Sequence, residues 1–404
     1  MPLRDDRRML ALRQCLDANM ELVGSLIEPT YILRGHSAQI HALHFFADNK
    51  YLISGDADGW IIIWDMPIKR PVGVWQAHKG AILGIRSWPL SELDQGERII
   101  THGRDNKLQV WQLAQDDISR LSTKLPGDGE PADSRQPWLL HSLTVNALNF
   151  CSFAICIHPD SSTSSETSID APSDILVAVP GVQDGYININ SLPDEQRFAT
   201  VINPKDIKTG MVMAIGLHTP NSKLQVIAGY ESGYVCVFSR QGGGSNWQAI
   251  YTHNSHTQPV LSLDIAPGLD YFYSSSADAI ITRHPLTEGS SDTKTSQTKH
   301  AGQQSLIVRS DEKIFATAGW DGRARVYSAK TMKELAVLKW HKEGCYALAF
   351  ATIGESRSSN KVDGEALAVK RNVTVAQQRV QKVQSTHWLA AGSKDGKISL
   401  WDVY

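Results

Sequence analysis

No apolar run in this sequence reaches the roughly 18 residues that a membrane-crossing helix needs, and the N-terminus, with Asp5 and Asp6 beside Arg4, Arg7 and Arg8, lacks a signal peptide's apolar segment. Cysteine is scarce. Cys15, Cys151, Cys156, Cys236 and Cys345 are odd in number and none stands in a C-x-x-C pair, which fits a reducing compartment and no structural zinc. Neither sign of charge is in excess, 40 Lys and Arg against 42 Asp and Glu, so nothing implies wholesale attraction to nucleic acid or membrane. P-loop, H-E-x-x-H and G-x-S-x-G motifs are missing. What remains is a cytosolic or nuclear globular chain whose 404 residues, 42% of them hydrophobic, can bury a large core.

One stretch, SGDADGWIIIWDM, invites a metal-site reading, because Ser54, Asp56, Asp58, Gly59 and Asp65 have the ligand spacing of a calcium-binding EF-hand loop. Its flanks refuse it: Tyr51-Leu52-Ile53 before and Trp60 to Trp64 after are β-branched and aromatic runs too short for helices. Ala57-Asp58-Gly59 reads instead as a tight turn between two strands. The same pattern of a small residue, a turn, alternating apolar residues and an aromatic returns at THGRDNKLQVWQ, PGVQDGYININS, AGYESGYVCVFS, SSSADAIITRHP, TAGWDGRARVYS and AGSKDGKISLWD. Its turn positions are Asp58, Asp105, Asp184, Ser232, Asp278, Asp321 and Asp395, spaced 47, 79, 48, 46, 43 and 74 residues apart, so the two long gaps are one period plus an insertion. Upstream of six turns stands a histidine (His36, His78, His141, His256, His300, His341), with Lys208 in the fourth copy.

These seven copies, with Gly35-His36, Trp64-Asp65 and Trp401-Asp402, resemble the WD-repeat family. The resemblance covers about residues 30–404 and implies an all-β fold, a seven-bladed β-propeller of four-stranded blades with strands a to d running outward from the axis. The family's structural tetrad then falls on His36, Ser54, Asp58 and Trp64 in blade 1, on His78, Thr101, Asp105 and Trp111 in blade 2, and on His300, Thr317, Asp321 and Tyr327 in blade 6. Blade 7 has Ala391 at the hydroxyl position, blade 3 has Pro180 and Asn190, blade 4 has Ser232 and Phe238, and blade 5 has His284 for Trp, so blades 3 to 5 are expected to be held by apolar packing. A hydrolase constellation occurs once per chain, whereas these sets recur, which marks them as structural.

The chain given stops two residues after Trp401-Asp402, leaving nothing for strand d of blade 7, so residues 30–34 are expected to close that blade. Residues 1–28 stand apart as an N-terminal extension before a propeller over 29–404. Met9, Leu12, Leu16, Met20, Val23 and Ile27 recur at helical spacing there, predicting an amphipathic helix. Insertions at about 114–136 (between strands c and d) and 159–174 (between a and b) are polar and predicted mobile. A third, 354–385, carries Arg357, Lys361, Lys370, Arg371, Arg379 and Lys382 among valines, a basic docking segment or a disordered excursion. Lacking aromatics between its basic residues, it gives little support to direct nucleic-acid binding.

In WD-repeat propellers the b-to-c turns lie on the top face, so Trp60, Arg104, Lys107, Trp320, Arg323, Lys394 and Lys397 are expected around one top arc of blades 6, 7, 1 and 2, a candidate surface for an acidic protein partner. PTYILRGHSAQIHALHFF, YLISGDADGWIIIWDM, RDNKLQVWQL and LAAGSKDGKISLWDV look like the fungal ASTRA-associated WD-repeat proteins, which are related to animal G-protein-β-like proteins. That resemblance implies a non-enzymatic nuclear scaffold in an assembly with RuvB-like AAA+ ATPases and maturation factors of phosphatidylinositol-3-kinase-like kinases, linked to chromatin remodelling. It implies no cofactor, no small-molecule substrate and no membrane. A G-protein β subunit is disfavoured by the short N-terminal extension. A cullin-ligase substrate receptor is disfavoured because Met66-Pro67 and Val403-Tyr404 follow the two Trp-Asp pairs, where such receptors carry an Arg two residues on.

Overall fold

The b strand Tyr51–Asp56 and the c strand Trp60–Asp65 flank a two-way turn, and the run Ile61-Ile62-Ile63-Trp64 is apolar at every position because both faces of its sheet are covered. Ile61 and Ile63 pack toward the following blade, Ile62 and Trp64 toward the preceding one. A strand buried on both sides reads as a continuous hydrophobic run, not an alternation.

That arrangement repeats in the computed structural model, which describes residues 28–88, 97–128, 135–147, 151–159, 174–220, 223–240, 246–286, 292–353 and 374–403. Seven four-stranded antiparallel sheets stand around an axis. Their inner a strands are Ile40–Phe46, Ile82–Ser87, Ala154–Ile157, Val212–His218, Val260–Ile265, Gln303–Val308 and Cys345–Phe350. Six sheets are built from consecutive strands, and the seventh takes Tyr31–Arg34 as its outer strand, Tyr31 opposite Leu400 and Arg34 opposite Lys397. The first described strand thus closes the ring against the last, which removes two exposed edges. The core is divided into wedges: seven apolar clusters are resolved, each shared by two neighbouring blades.

Two expectations change here. Residues 115–128 are not a mobile polar loop: after the helical turn Gln115–Ile118, Ile118 and Leu121 are buried in the junction of blades 1 and 2, and Val74 N–H donates to Ser122 O at 2.8 Å across the outer edge of blade 1. Apolar residues inside a polar segment anchor it as a strap. The tail of the third insertion is a helix, Val375–Ser385, capped by Thr374 and Gln377, with Val383 buried and its carbonyl accepting from Trp388 Nε1 at 3.1 Å. The helix expected over residues 1–28 lies, apart from Glu28, outside the described residues, as do 129–134, 160–173 and 354–373 of the insertions.

Candidate partner-binding face

The b-to-c turns and the loops leading into strand a share one end of every sheet, because antiparallel strands return there. Gly59 shows how tightly they are tied. It sits at φ 84, and a Cβ on it would meet His78 O at 1.9 Å, so only glycine fits the position. Ala77 N–H donates to Gly59 O at 3.0 Å, joining the turn of blade 1 to the loop that enters blade 2.

In blades 1, 2, 5, 6 and 7 a polar lock lies behind the loop. In blade 2, His78 Nδ1 donates to Asp105 at 2.9 Å, Thr101 joins His78 Nε2 at 2.8 Å, and Trp111 Nε1 donates to Thr101 Oγ1 at 2.9 Å. Burial pulls the His78 pKa down, with Asp105 opposing it. Burial alone would raise Asp105, but the Lys79 amide and His78 outweigh it and hold the carboxyl below its ordinary value.

Blade 1 makes the same lock with a different carboxylate. His36 Nδ1 donates to Asp56 at 2.7 Å and its Nε2 meets Ser54 Oγ at 2.7 Å, to which Trp64 Nε1 donates at 2.9 Å. Asp58, expected in this role, is exposed, and its backbone carbonyl accepts from Gln76. The reason is local: Ser54 and Asp56 are two apart on one strand, so they face the same side. The counterpart of Asp56 in blade 2 is Gly103, where a Cβ would stand 2.3 Å from His78 Nδ1 and 2.8 Å from Asp105. In blade 1 the strand-end Asp56 supplies the carboxylate of the lock, and in blade 2 the turn residue Asp105 does.

Three other blades depart from expectation. In blade 7 the hydroxyl missing at Ala391 comes from the next strand: Ser399 Oγ meets His341 Nε2 at 2.9 Å and accepts from Trp401 Nε1 at 2.8 Å, and His341 Nδ1 lies 3.3 Å from Asp395. Blade 5, expected to rely on apolar packing, holds the longest relay. It runs from Asp278 through His256 (3.2 Å), Ser274 (2.8 Å) and His284 (2.8 Å) to Tyr251 and Thr293 (3.0 Å each). Blade 6 replaces its imidazole altogether: Arg325, buried, grips Asp321 through Nη1 at 3.1 Å and Nη2 at 2.6 Å, while His300 makes its hydrogen bonds through backbone atoms. His141 likewise makes no relay for blade 3; it lies within the outer strand Trp138–Thr144 of blade 2 and pairs with Glu195 at 2.9 Å. The overlooked signal was a polar residue on the buried phase of strand c, Ser399 and Arg325 standing where blade 1 has Ile62.

Above these locks lies a mouth that strand patterning did not reveal. In every blade but the third, the register of strand a slips by one residue near its start. The extra residues are His41, Leu83, Met213, Leu261, Gln304 and Tyr346, and all of them line one axial cavity of about 490 Å³. A bulge turns one side chain out of the sheet's alternation, and here it turns each toward the axis. His41 and Tyr346 stack at 5.7 Å. Burial lowers the His41 pKa; Asp56 opposes this and the charge of Arg104 adds to it.

Of the expected rim residues, Trp320 is 49% exposed and lines the same cavity, its Nε1 donating to Gln304 at 2.9 Å and its ring lying against Gly302, where a Cβ would stand at 2.2 Å. Arg104 and Lys394 are exposed. Trp60 is half-buried against the core between blades 7 and 1. Arg323 and Lys397 lean on their own turn carboxylates, Asp321 at 4.0 Å and Asp395 at 3.7 Å, and Lys107 acts electrostatically on Asp105. The structure therefore brings Trp320, Arg104, Lys107 and Lys394 to the surface around the mouth and turns Trp60, Arg323 and Lys397 partly inward. On the opposite face, Arg379 and Lys382 are exposed on the helix Val375–Ser385.

Comparison with known proteins agrees with the architecture. The WD domain, G-beta repeat, matches residues 27–65, 247–282 and 379–402. The chain is 46% identical to ASTRA-associated protein 1 of Penicillium rubens, over 96% of this chain and 100% of that protein. Identity to the protein of the same name is 47% in Aspergillus flavus (93% and 97% covered) and 32% in Schizosaccharomyces pombe (93% and 99%). Similarity along nearly the whole of each relative, on a seven-bladed scaffold with the repeat's own locks, places this chain in the ASTRA-associated protein 1 family of WD-repeat proteins.

Proposed function

We propose that the chain is a non-enzymatic scaffold subunit of the ASTRA assembly, acting in the nucleus in chromatin remodelling and in maturation of phosphatidylinositol-3-kinase-like kinases. Its partners are proteins, RuvB-like AAA+ ATPases and kinase-maturation factors among them. The observation that carries this reading is 46% identity along the whole length of a protein named for association with ASTRA. A structural role for the His–hydroxyl–Asp sets is supported by their geometry, since in blades 1, 2, 5 and 7 each hydroxyl is engaged by a second ring, Trp64, Trp111, His284 or Trp401. A hydroxyl held between imidazole and indole is not free to attack a substrate.

The binding face we propose is the top rim, with Trp320 as anchor and Arg104 and Lys394 supplying positive charge toward an acidic partner. Truncating a hot-spot Trp or Arg costs on the order of 2 kcal/mol of binding. Affinity purification of the tagged protein, quantified by mass spectrometry, tests both parts. The wild type is expected to retain RuvB-like ATPases and kinase-maturation factors, and Trp320→Ala with Arg323→Glu to lose them while the propeller stays folded. Excision of 356–372, which spares the buried Val383 helix, is expected to have the smaller effect. Recovery of cullin or G-protein γ components instead would replace the assembly reading, and the reverse ranking of the two variants would move the binding face to the opposite side.

A further inference from the structure

Where the closing strand enters the ring, the face opposite the rim carries an apolar and basic patch open to solvent. Tyr31, the first residue of that strand, is 39% exposed, and Ile68, in the turn after strand Trp60–Asp65, is 52% exposed. Beside Ile68, Lys69 is half-buried, its Nζ lying 5.8 Å from the centre of the Tyr31 ring and 5.2 Å from that of Trp388. Trp388 Nε1 in turn donates to Val383 O of helix Val375–Ser385, on which Lys382 is exposed, so the helix comes up to the same patch. Burial pulls the Lys69 pKa down, and the charge of Lys382 pulls it further. Two like charges are thus held near each other. Among the described residues neither ammonium forms an ion pair: Lys69 Nζ donates to Met66 O at 3.4 Å, and the nearby Asp65 carboxylate accepts from the Ile68 amide at 3.3 Å. A pair of cations beside apolar surface attracts carboxylates.

We propose that the chain's own N-terminal segment, residues 9–27, docks on this patch as an amphipathic helix, its apolar stripe on Tyr31 and Ile68 and its acidic side chains Asp17 and Glu21 on Lys69 and Lys382. Three observations select this occupant. The first is the tether: Thr30 N–H is pinned to Leu400 O at 2.8 Å, so residue 27 starts within about 11 Å of that anchor. A segment tied so closely meets the patch at an effective concentration of millimolar order, which no free partner matches. The second is charge, because between residues 14 and 27 the only charged side chains are Asp17 and Glu21, both acidic and one helical turn apart. The third is the apolar stripe from Met9 to Ile27, since a helix hydrophobic along one side gains most of its stability from burying that side. Pro29, two residues past Ile27, stops such a helix and holds the residue before it extended. The docked helix lies beside the four-residue strand Tyr31–Arg34 that closes the ring and latches that seam from the side opposite the rim.

Hydrogen exchange and carbodiimide cross-linking, which joins carboxylates to amines in direct contact, test the latch on the dilute full chain. Amides of residues 16–27 are expected to exchange at least about tenfold more slowly than in an unstructured chain, and Asp17 or Glu21 to be joined to Lys69 or Lys382 within one molecule. Lys69→Glu with Lys382→Glu is expected to remove the cross-link and most of the protection, and adding Asp17→Lys with Glu21→Lys to bring the protection back. Should the double variant fail to fold, Lys382→Glu alone, at an exposed helix position, repeats the test with Glu21→Lys as its rescue. Exchange at the unstructured rate, protection that survives charge reversal, or a reversal that the swap does not rescue overturns the latch. So do cross-links found only between two molecules, which would make a second copy the occupant, and protection that appears only when an assembly partner is added, which would make the segment that partner's site.

Discussion

Blades 1 and 4 occupy the same kind of slot in the ring and are held by different physics. In blade 1 four side chains, His36, Ser54, Asp56 and Trp64, satisfy one another inside a wedge that excludes water. In blade 4 the corresponding places carry the exposed Lys208, the buried Ala228 and the buried Phe238, which packs with Tyr230, Cys236 and Val226 in the junction with blade 3. A polar lock is specific and fragile, because removing one member strands the rest; an apolar wedge has no such members and depends on volume. The repeat tolerates both, since either one fills the junction between neighbouring blades.

The difference is open to direct measurement. The largest effect is expected in the apolar blade: Phe238→Ala should lower unfolding free energy by about 3–5 kcal/mol, as large-to-small core changes do, read by urea denaturation. Next comes the lock of blade 1, where Asp56→Ala should cost about 1–3 kcal/mol by leaving His36 unpaired, whereas Asp58→Ala should stay within about 0.5 kcal/mol, the range of ordinary surface changes. Equal effects of the two would return the lock to the turn carboxylate. In blade 7, Ser399→Ala should cost about 1–3 kcal/mol, and adding Ala391→Ser should recover most of it by restoring the hydroxyl to the strand that carries it in blade 1.

A smaller, pH-dependent effect separates buried imidazoles from locked carboxylates. Burial depresses His44 to about 3, with Arg86 adding to the shift, and depresses His102 and His218 to about 4. The ordinary value is 6.5, so as pH falls below it the unfolded chain takes up protons that the folded chain refuses. Stability should therefore be full above about pH 7, where these imidazoles are neutral in both states, and decline from pH 6.5 toward 4. Asp105 and Asp278 are held below their ordinary 3.8, so the stability they add is present above that value and is lost only in stronger acid. Thermal melts across pH should show the first decline, and replacing His102 and His218 by Leu should flatten the slope between pH 6.5 and 4 even if the overall level drops.

Much of the architecture is legible in the chain because the repeat is a local object. A turn flanked by two short β runs needs only neighbouring residues, and its sevenfold return with continuous apolar c strands already implies sheets buried on both faces and hence a ring. The locks were legible in part. In blade 2 the histidine, hydroxyl, carboxylate and indole stand where the spacing puts them. In blade 1 two carboxylates two residues apart compete, and only the path of the strand end decides which one faces His36. Ser399 and Arg325 were hidden because a polar residue in a buried strand reads as a defect until its cross-strand partner is known.

What the sequence determined by itself is therefore the count of blades, their strands and the ring closure that follows from the count. Tertiary structure alone decided which side chains meet: Asp56 rather than Asp58, Arg325 in place of an imidazole, and the bulges that gather His41, Gln304 and Tyr346 with Leu83, Met213 and Leu261 around one axis. The physical reason is one of range. Strand and turn formation depend on contacts a few residues apart, whereas Arg86 and Asp264, 178 positions apart in the chain, come to line one cavity only when seven separate junctions have packed and the ring has closed.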